Sequence, residues 1–200
     1  MRANLLVAAA AALLLSSGWA AADTNPGVDI AQRVCATCHG PAGQSVSPIF
    51  PRLAGQQEEY LVVQIKAFRD RTRADPHAQA FMWGMAAQLT DDAIKQIASY
   101  YASQPAVKGA AGDASEIAAG EKIYRQGLEK QDVPACQSCH LEKAEGAGAI
   151  PRLAGQQRSY LEKQLEAFAA NLRANEIMHA NSKDLTARQI SDVAAFLSAQ

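Results

Sequence analysis

The sequence predicts an all-α protein built as two tandem helical domains related by duplication. Three observations carry that reading. The motif Cys-x-x-Cys-His occurs twice, as Cys35-Ala-Thr-Cys38-His39 and Cys136-Gln-Ser-Cys139-His140. The segment Pro51-Arg-Leu-Ala-Gly-Gln-Gln57 returns as Pro151-Arg-Leu-Ala-Gly-Gln-Gln157. Apolar residues recur at helical spacing, and no stretch shows a convincing strand pattern. A period of about a hundred residues is too long for a solenoid and fits a duplicated domain.

The elements follow in order. Arg2, the apolar run Leu5 to Leu15 and the small residues Ala20-Ala21-Ala22 read as a secretory signal peptide over residues 1–22, cut after Ala22. An N-terminal helix then leads to each Cys motif, roughly Val28 to Cys35 in the first half and Ala114 to Gln126 in the second. A loop with the Pro-Arg-Leu-Ala-Gly segment follows. Leu61, Ile65 and Phe68, mirrored by Leu161, Leu165 and Phe168, form one apolar stripe of an amphipathic helix. Thr90 and Thr186 are suited to cap a last helix, and Thr186-Ala-Arg-Gln189 fits a capping box. The apolar faces of these last helices are Ile94, Ile97 and Tyr101, and Ile190, Val193 and Leu197. The stretch Gln104 to Gly112 has linker composition, which divides the chain into domains 23–106 and 114–200 joined by 107–113.

The Cys motif carries the chemistry. Two thiols one helical turn apart can each form a thioether to a porphyrin vinyl group, and the following His lies under the iron. The two motifs use all 4 cysteines. We therefore read two covalently bound c-type haems, on Cys35 and Cys38 and on Cys136 and Cys139, with His39 and His140 as axial ligands. A zinc ribbon needs its Cys pairs far closer together, and a thioredoxin-like site needs a βαβ pattern that is missing. Each half is small for an apolar core, and a buried porphyrin supplies apolar volume.

A second strong axial ligand closes an iron for electron transfer, whereas an open position admits small molecules. Aligning Leu89-Thr90 with Leu185-Thr186 pairs Met82 with Met178, which become the distal ligands; Met85 falls opposite Asn181 and reads as packing. His77 lies in a four-residue surplus of the first half, and His179 aligns with Trp83, so a bis-His arrangement would need different positions in the two domains. Pro51 and Pro151 are suited to present a carbonyl to the axial histidines. Two readings stand for Arg52 and Arg152, propionate partners or exposed side chains. Two stand also for Tyr60, Tyr160, Gln64 and Gln164, which can bond propionates or each other across a domain interface. The cluster Arg69-Asp-Arg71-Thr-Arg73 reads as a solvated face, with docking of an acidic partner as the alternative.

With 19 Lys+Arg against 20 Asp+Glu, neither half is strongly basic, which excludes a nucleic-acid binder.

Taken together, these residues resemble cytochrome c4, the periplasmic di-haem member of the class I cytochromes c. The likeness rests on both haem motifs, both Pro-Arg-Leu-Ala-Gly-Gln segments, Met82-Trp-Gly-Met-Ala-Ala-Gln-Leu-Thr90, and the run from Gly120-Glu-Lys-Ile-Tyr124 to Val133-Pro-Ala-Cys136. The second motif departs from the family in continuing His140-Leu141 rather than with Gly. The resemblance implies two class I domains about a pseudo-twofold axis, with ligands His39 with Met82 and His140 with Met178. It implies a periplasmic electron shuttle, not an enzyme, between a quinol-oxidising cytochrome bc-type complex and a terminal oxidase. No small-molecule substrate is expected, and peripheral membrane association is compatible with the sequence. The alternatives are a di-haem peroxidase, a redox or gas sensor, and an electron-accepting subunit of a dehydrogenase.

Overall fold

The computed structural model describes residues 25–200, so the expected signal peptide lies outside the described residues. The first half begins with α1 (Pro26–Ile30), continues through one π-helical turn (Ala31–Cys35) and ends as α2 (Ala36–His39). The expected helix over Val28 to Cys35 is thus longer and carries the whole haem motif. Asn25 caps its start, and Gly40, at φ 76°, ends it. A π-turn holds an extra residue in a helix and re-aims the side chains after it. Here it falls directly before the Cys-x-x-Cys-His turn.

Helix α3 (Glu58–Arg69) buries Leu61, Ile65 and Phe68, the three residues of the predicted stripe. A further π-turn (Ala78–Met82) and α4 (Trp83–Ala86) carry the first methionines. Helix α5 (Asp91–Ala102) is capped by the Thr90 side chain, which accepts from Ala93 N. The second half repeats the plan with α6 (Ala114–Gln126), α7 (Gln137–His140), α8 (Arg158–Ala169), α9 (Glu176–Ser182) and α10 (Ala187–Ser198). Thr186 and Gln189 form the capping box reciprocally. Among the described residues there is no strand beyond two isolated bridges, Leu128 with Val133 and Ala147 with Ile150. The all-α reading therefore holds.

Glycine sets how closely the first and last helices of each half cross. A Cβ on Gly27 would lie 2.4 Å from Gln96 Cβ, and one on Gly120 would lie 1.9 Å from Asp192 O. Only a residue without a side chain permits either crossing. Each half then closes its own core. The first gathers Ala31, Leu61, Ile65, Phe68, Ile94, Ile97 and Tyr101. The second gathers Ile123, Tyr124, Leu161, Val193, Phe196 and Leu197. Tyr101 and Tyr124 are fully enclosed, and their hydroxyls donate to Ala31 O at 2.9 Å and to Leu141 O at 2.6 Å. Between Ala102 and Ala114 the chain is non-helical, and it is fastened to the C-terminus by Gly109 N donating to Gln200 O at 2.7 Å.

The two halves meet through the repeated loops, with each bond matched by its twin. Gln56 Nε2 donates to Arg152 O at 2.9 Å while Arg152 N donates to Gln56 Oε1 at 2.7 Å. Gln156 does the same to Arg52, at 2.9 and 2.8 Å. Gln57 Nε2 reaches Glu145 O at 2.8 Å, and Gln157 Nε2 reaches Ser45 O at 2.8 Å. Each glutamine amide presents a donor and an acceptor side by side, as a strand neighbour would. The result is an isologous contact inside one chain.

Candidate haem sites

The first site is an apolar cleft, part of it open to solvent. Its walls include Cys35, Cys38, His39, Leu61, Phe68 and Met82. Small-molecule pockets commonly run to about 1,000 Å³ and are mostly apolar with a few placed polar groups. This cleft matches in character, with apolar walls and a few polar groups such as His39, Gln64 and Arg73.

His39 is buried, and its Nδ1 lies 2.9 Å from Pro51 O. In the second half His140 is buried too, with Nδ1 3.2 Å from Pro151 O. A carbonyl only accepts, so each Nδ1 carries the proton and each Nε2 keeps its lone pair. Burial pushes both imidazoles below the usual histidine range, and the proline carbonyls offset this only in part. Both rings are neutral, which is the form that binds iron. Proline suits the acceptor role because its ring stiffens the loop and its nitrogen has no proton to compete.

None of the four cysteines is paired in a disulfide. Burial pushes the Cys136 thiol up to about 11 and raises Cys35 as well. Reactive cysteines have depressed pKa values in electropositive surroundings. Cys35 and Cys136 instead pack against the apolar cores of their halves, a setting for an uncharged thioether. Their partners Cys38 and Cys139 are exposed, and Cys38 lines the first cleft. Among the described residues no group of three or more His, Cys, Asp or Glu is placed to hold a metal ion. In the first cleft the His39 imidazole and the Met82 thioether line one apolar space with Cys35 and Cys38, a set of groups that fits a c-type haem.

Met82 packs against the first core and lines the cleft. Met85 and His77 line it as well, with Met85 half-exposed at the mouth. His77 stacks edge-on against Phe81 at 5.8 Å, and Phe81 against Phe50 at 5.3 Å. Met178 lies in α9, which packs on α8, and its carbonyl accepts from Ser182 Oγ at 2.6 Å. The neighbouring His179 is tied by Nδ1 to Phe168 O at 2.8 Å. Trp83 donates its indole N–H to Arg73 O at 2.9 Å.

Arg52 is engaged between the halves: Nε donates to Ser45 O at 3.2 Å and a terminal nitrogen donates to Gly155 O at 2.5 Å. Arg152 lies opposite, beside the same small interdomain cavity.

The residues that sequence reasoning missed are Arg73 and Arg173. Arg73 sits in what reads as an exposed charge run, yet both arginines are only 7 % exposed. Each lies over its own phenylalanine, Arg73 at 4.7 Å from the Phe68 ring and Arg173 at 4.5 Å from Phe168. Each also bonds both interface glutamines: Arg73 reaches Gln64 at 2.8 Å and Gln164 at 2.7 Å, and Arg173 reaches Gln164 at 2.7 Å and Gln64 at 2.7 Å. Arg73 further meets Tyr160 Oη at 3.3 Å, and Arg173 meets Tyr60 Oη at 2.9 Å. These tyrosines and glutamines meet across the interface, with the arginines as mediators. Asp75 completes the cluster, its Oδ2 2.8 Å from Arg73 Nε. Burial alone would raise the Asp75 carboxyl, but Arg73 more than offsets it and holds the group below the usual carboxylate range. The signal was present in the repeat: Arg73-Ala-Asp75 aligns with Arg173-Ala-Asn175.

A family model described as cytochrome c matches the chain twice, over residues 25–104 and 117–200. The chain is 40% identical over 182 residues to cytochrome c4 of Thiocapsa roseopersicina, covering 88% of this chain and 91% of that one. It is 39% identical over 209 residues to a thiosulfate dehydrogenase electron acceptor of Thiomonas intermedia, covering 100% and 92%. Its fold is similar to the solved cytochrome c4 of Acidithiobacillus ferrooxidans, with a TM-score of 0.80 and 38% identity over 83% of this chain and 98% of that one.

Proposed function

The chain belongs to the cytochrome c family, as a di-haem electron carrier of the cytochrome c4 type, and from this premise we propose how it holds its haems and what it serves. Cys35 and Cys38 bind one haem by thioethers, Cys136 and Cys139 the other. His39 with Met82 and His140 with Met178 fill the axial positions, within domains 23–106 and 114–200. One observation carries the ligand reading. In both halves a buried, neutral histidine at the end of the Cys motif is fixed by a proline carbonyl, 2.9 Å away in one and 3.2 Å in the other. That bond orients each ring and raises the basicity of Nε2.

The haem iron supplies the one-electron chemistry when bound. The chain's own residues exclude water, hold the ligand geometry on both faces and fasten the two domains together. A site closed on both sides changes little on gaining or losing an electron, and that suits transfer rather than turnover. We place the protein in the periplasm, delivered by the signal peptide over residues 1–22. There it carries electrons from a quinol-oxidising cytochrome bc-type complex to a terminal oxidase. Likeness to a thiosulfate dehydrogenase electron acceptor supports a second reading, in which a dehydrogenase is the donor.

The test is addition of carbon monoxide to the reduced, matured protein. An unchanged spectrum is expected, with both irons closed. A shift of about half the haem signal would refute one of the two Met assignments. Rapid reduction by a bc-type complex but not by a dehydrogenase separates the two donors.

A further inference from the structure

The interface cluster is symmetric in every charged group but one. Arg73 and Arg173 occupy matched places, stack on matched phenylalanines and share the same two glutamines. Asp75, only 2 % exposed, stands where the second half has the neutral Asn175. The two side chains cap the backbone alike. Asp75 Oδ1 accepts from Ala78 N at 3.4 Å and Asn175 Oδ1 from Met178 N at 2.9 Å. Capping requires only an oxygen, and Asn and Asp perform it about equally well. The negative charge is therefore surplus to the cap.

That charge also has a location. Among the described residues, Asp75 is the one carboxylate that lines the first cleft, paired with Arg73 and sharing that lining with His39 and Met82. A ferric centre carries one more positive charge than a ferrous one. A fixed carboxylate nearby therefore favours the oxidised form, and burial strengthens the effect because the medium screens it less. Arg73 offsets part of this field, but Arg173 makes the matching contribution in the second half. Charges present in both halves cancel in the comparison, and the carboxylate remains.

We propose that Asp75 separates the two reduction potentials of this protein, making the haem of the first domain the harder to reduce. Electrons then rest preferentially on the second domain, and the first is the better donor once both are reduced. This rests on the haem and ligand assignments made above.

The experiment uses the full matured protein and its Asp75→Asn and Asn175→Asp variants, in redox titrations followed by visible absorption. Two unit charges roughly 10 Å apart at an effective dielectric of about 20 correspond to about a tenfold change in an equilibrium constant, and partial neutralisation by Arg73 reduces that. Asp75→Asn is therefore expected to raise the lower potential by the equivalent of about three- to tenfold, leave the upper one in place and narrow the gap; tenfold is 59 mV for one electron. Asn175 is exposed, so water screens a charge there, and Asn175→Asp is expected to pull the upper potential down by less than Asp75→Asn raises the lower one. Both variants keep the capping oxygen, so each tests the charge without removing the cap. Unmoved potentials in both variants, or an Asp75→Asn shift confined to the upper wave, would overturn the proposal. A purely structural role for Asp75 would change the melting temperature and leave the gap as it is. The spectra report the underlying assignment separately: low-spin haem in both halves with unmoved potentials sinks the role of Asp75 alone, whereas a missing or five-coordinate haem in the unaltered protein sinks the ligand assignment itself.

Discussion

Replacing Gln56 by Ala tests whether the two halves are held by the repeated loops. Gln56 is buried, and its amide makes three bonds: to Arg152 O at 2.9 Å, from Arg152 N at 2.7 Å, and from Gln57 N at 2.9 Å. A net hydrogen bond contributes about 0.5–1.5 kcal/mol, and a polar group left buried without a partner costs about 1–3 kcal/mol. The Arg152 peptide groups are partly buried, so water replaces some of what is lost. The sum is about 2–4 kcal/mol, or a fall in melting temperature of roughly 5–12 °C for a chain of this size. The twin variant Gln156→Ala breaks the matched bonds to Arg52 and should fall by a similar amount. The double variant should lose less than the sum, because one loosened contact already frees the other. Calorimetry of the matured protein is the assay. The expected result is one transition in the unaltered chain and two, one per domain, in the double variant. A single variant that melts within about 2 °C of the unaltered chain would refute the view that these amides carry the interface.

Three further outcomes follow from the same geometry. Gly120→Ala forces a Cβ to within 1.9 Å of Asp192 O, so the second domain should lose about 3 kcal/mol or more, read as an early transition for that domain alone. Met82→Ala and Met178→Ala should each open one iron while the thioethers keep the haem attached. Each variant is then expected to bind carbon monoxide at about half its haem, and an unchanged spectrum would sink the assignment concerned. The Asp75 carboxyl, raised by burial but more strongly lowered by Arg73, titrates below its ordinary 3.8 in the folded state. A depressed carboxylate contributes stability that is complete above the unfolded value and lost as pH falls through the folded one. Thermal stability should therefore drop below about pH 4, and Asp75→Asn should flatten that drop; equal slopes in both proteins would argue against it.

Much of the fold is legible in the sequence because local chemistry specifies it. The Thr90 and Thr186 caps, the capping box at Gln189 and the Leu61, Ile65, Phe68 stripe all depend on spacing within one or two turns. Helix α6 spans Ala114–Gln126, the range its apolar pattern gives. The π-turns at Ala31–Cys35 and Ala78–Met82 are not legible, since an extra helical residue has no composition of its own. Nor is the fate of Arg73. A run of three arginines with an aspartate has the pattern of a wetted surface, and Arg69 does follow it, pairing with Asp70 and Asp91 on the exposed side. Arg73 turns inward because Gln164 and Tyr160, some ninety residues away in the other half, complete its hydrogen bonds. The repeat of Arg73 in Arg173 was the available signal, and it is a signal of pairing rather than of exposure.

The same repeat explains why two short loops are identical. In Pro51-Arg-Leu-Ala-Gly-Gln-Gln57 the first residue gives its carbonyl to His39, and the backbone of the second pairs with Gln156 of the other half. One peptide group therefore serves both the histidine and the seam between domains. The second half is built alike, with Pro151 on His140 and Arg152 on Gln56. Under a twofold arrangement each loop residue acts twice, once towards its own histidine and once towards its partner loop, so a change in either copy disturbs both domains. Sliding the domains would pull on the Arg52 and Arg152 peptides, and through them on the two proline carbonyls. The interface is thus part of what holds each imidazole in place.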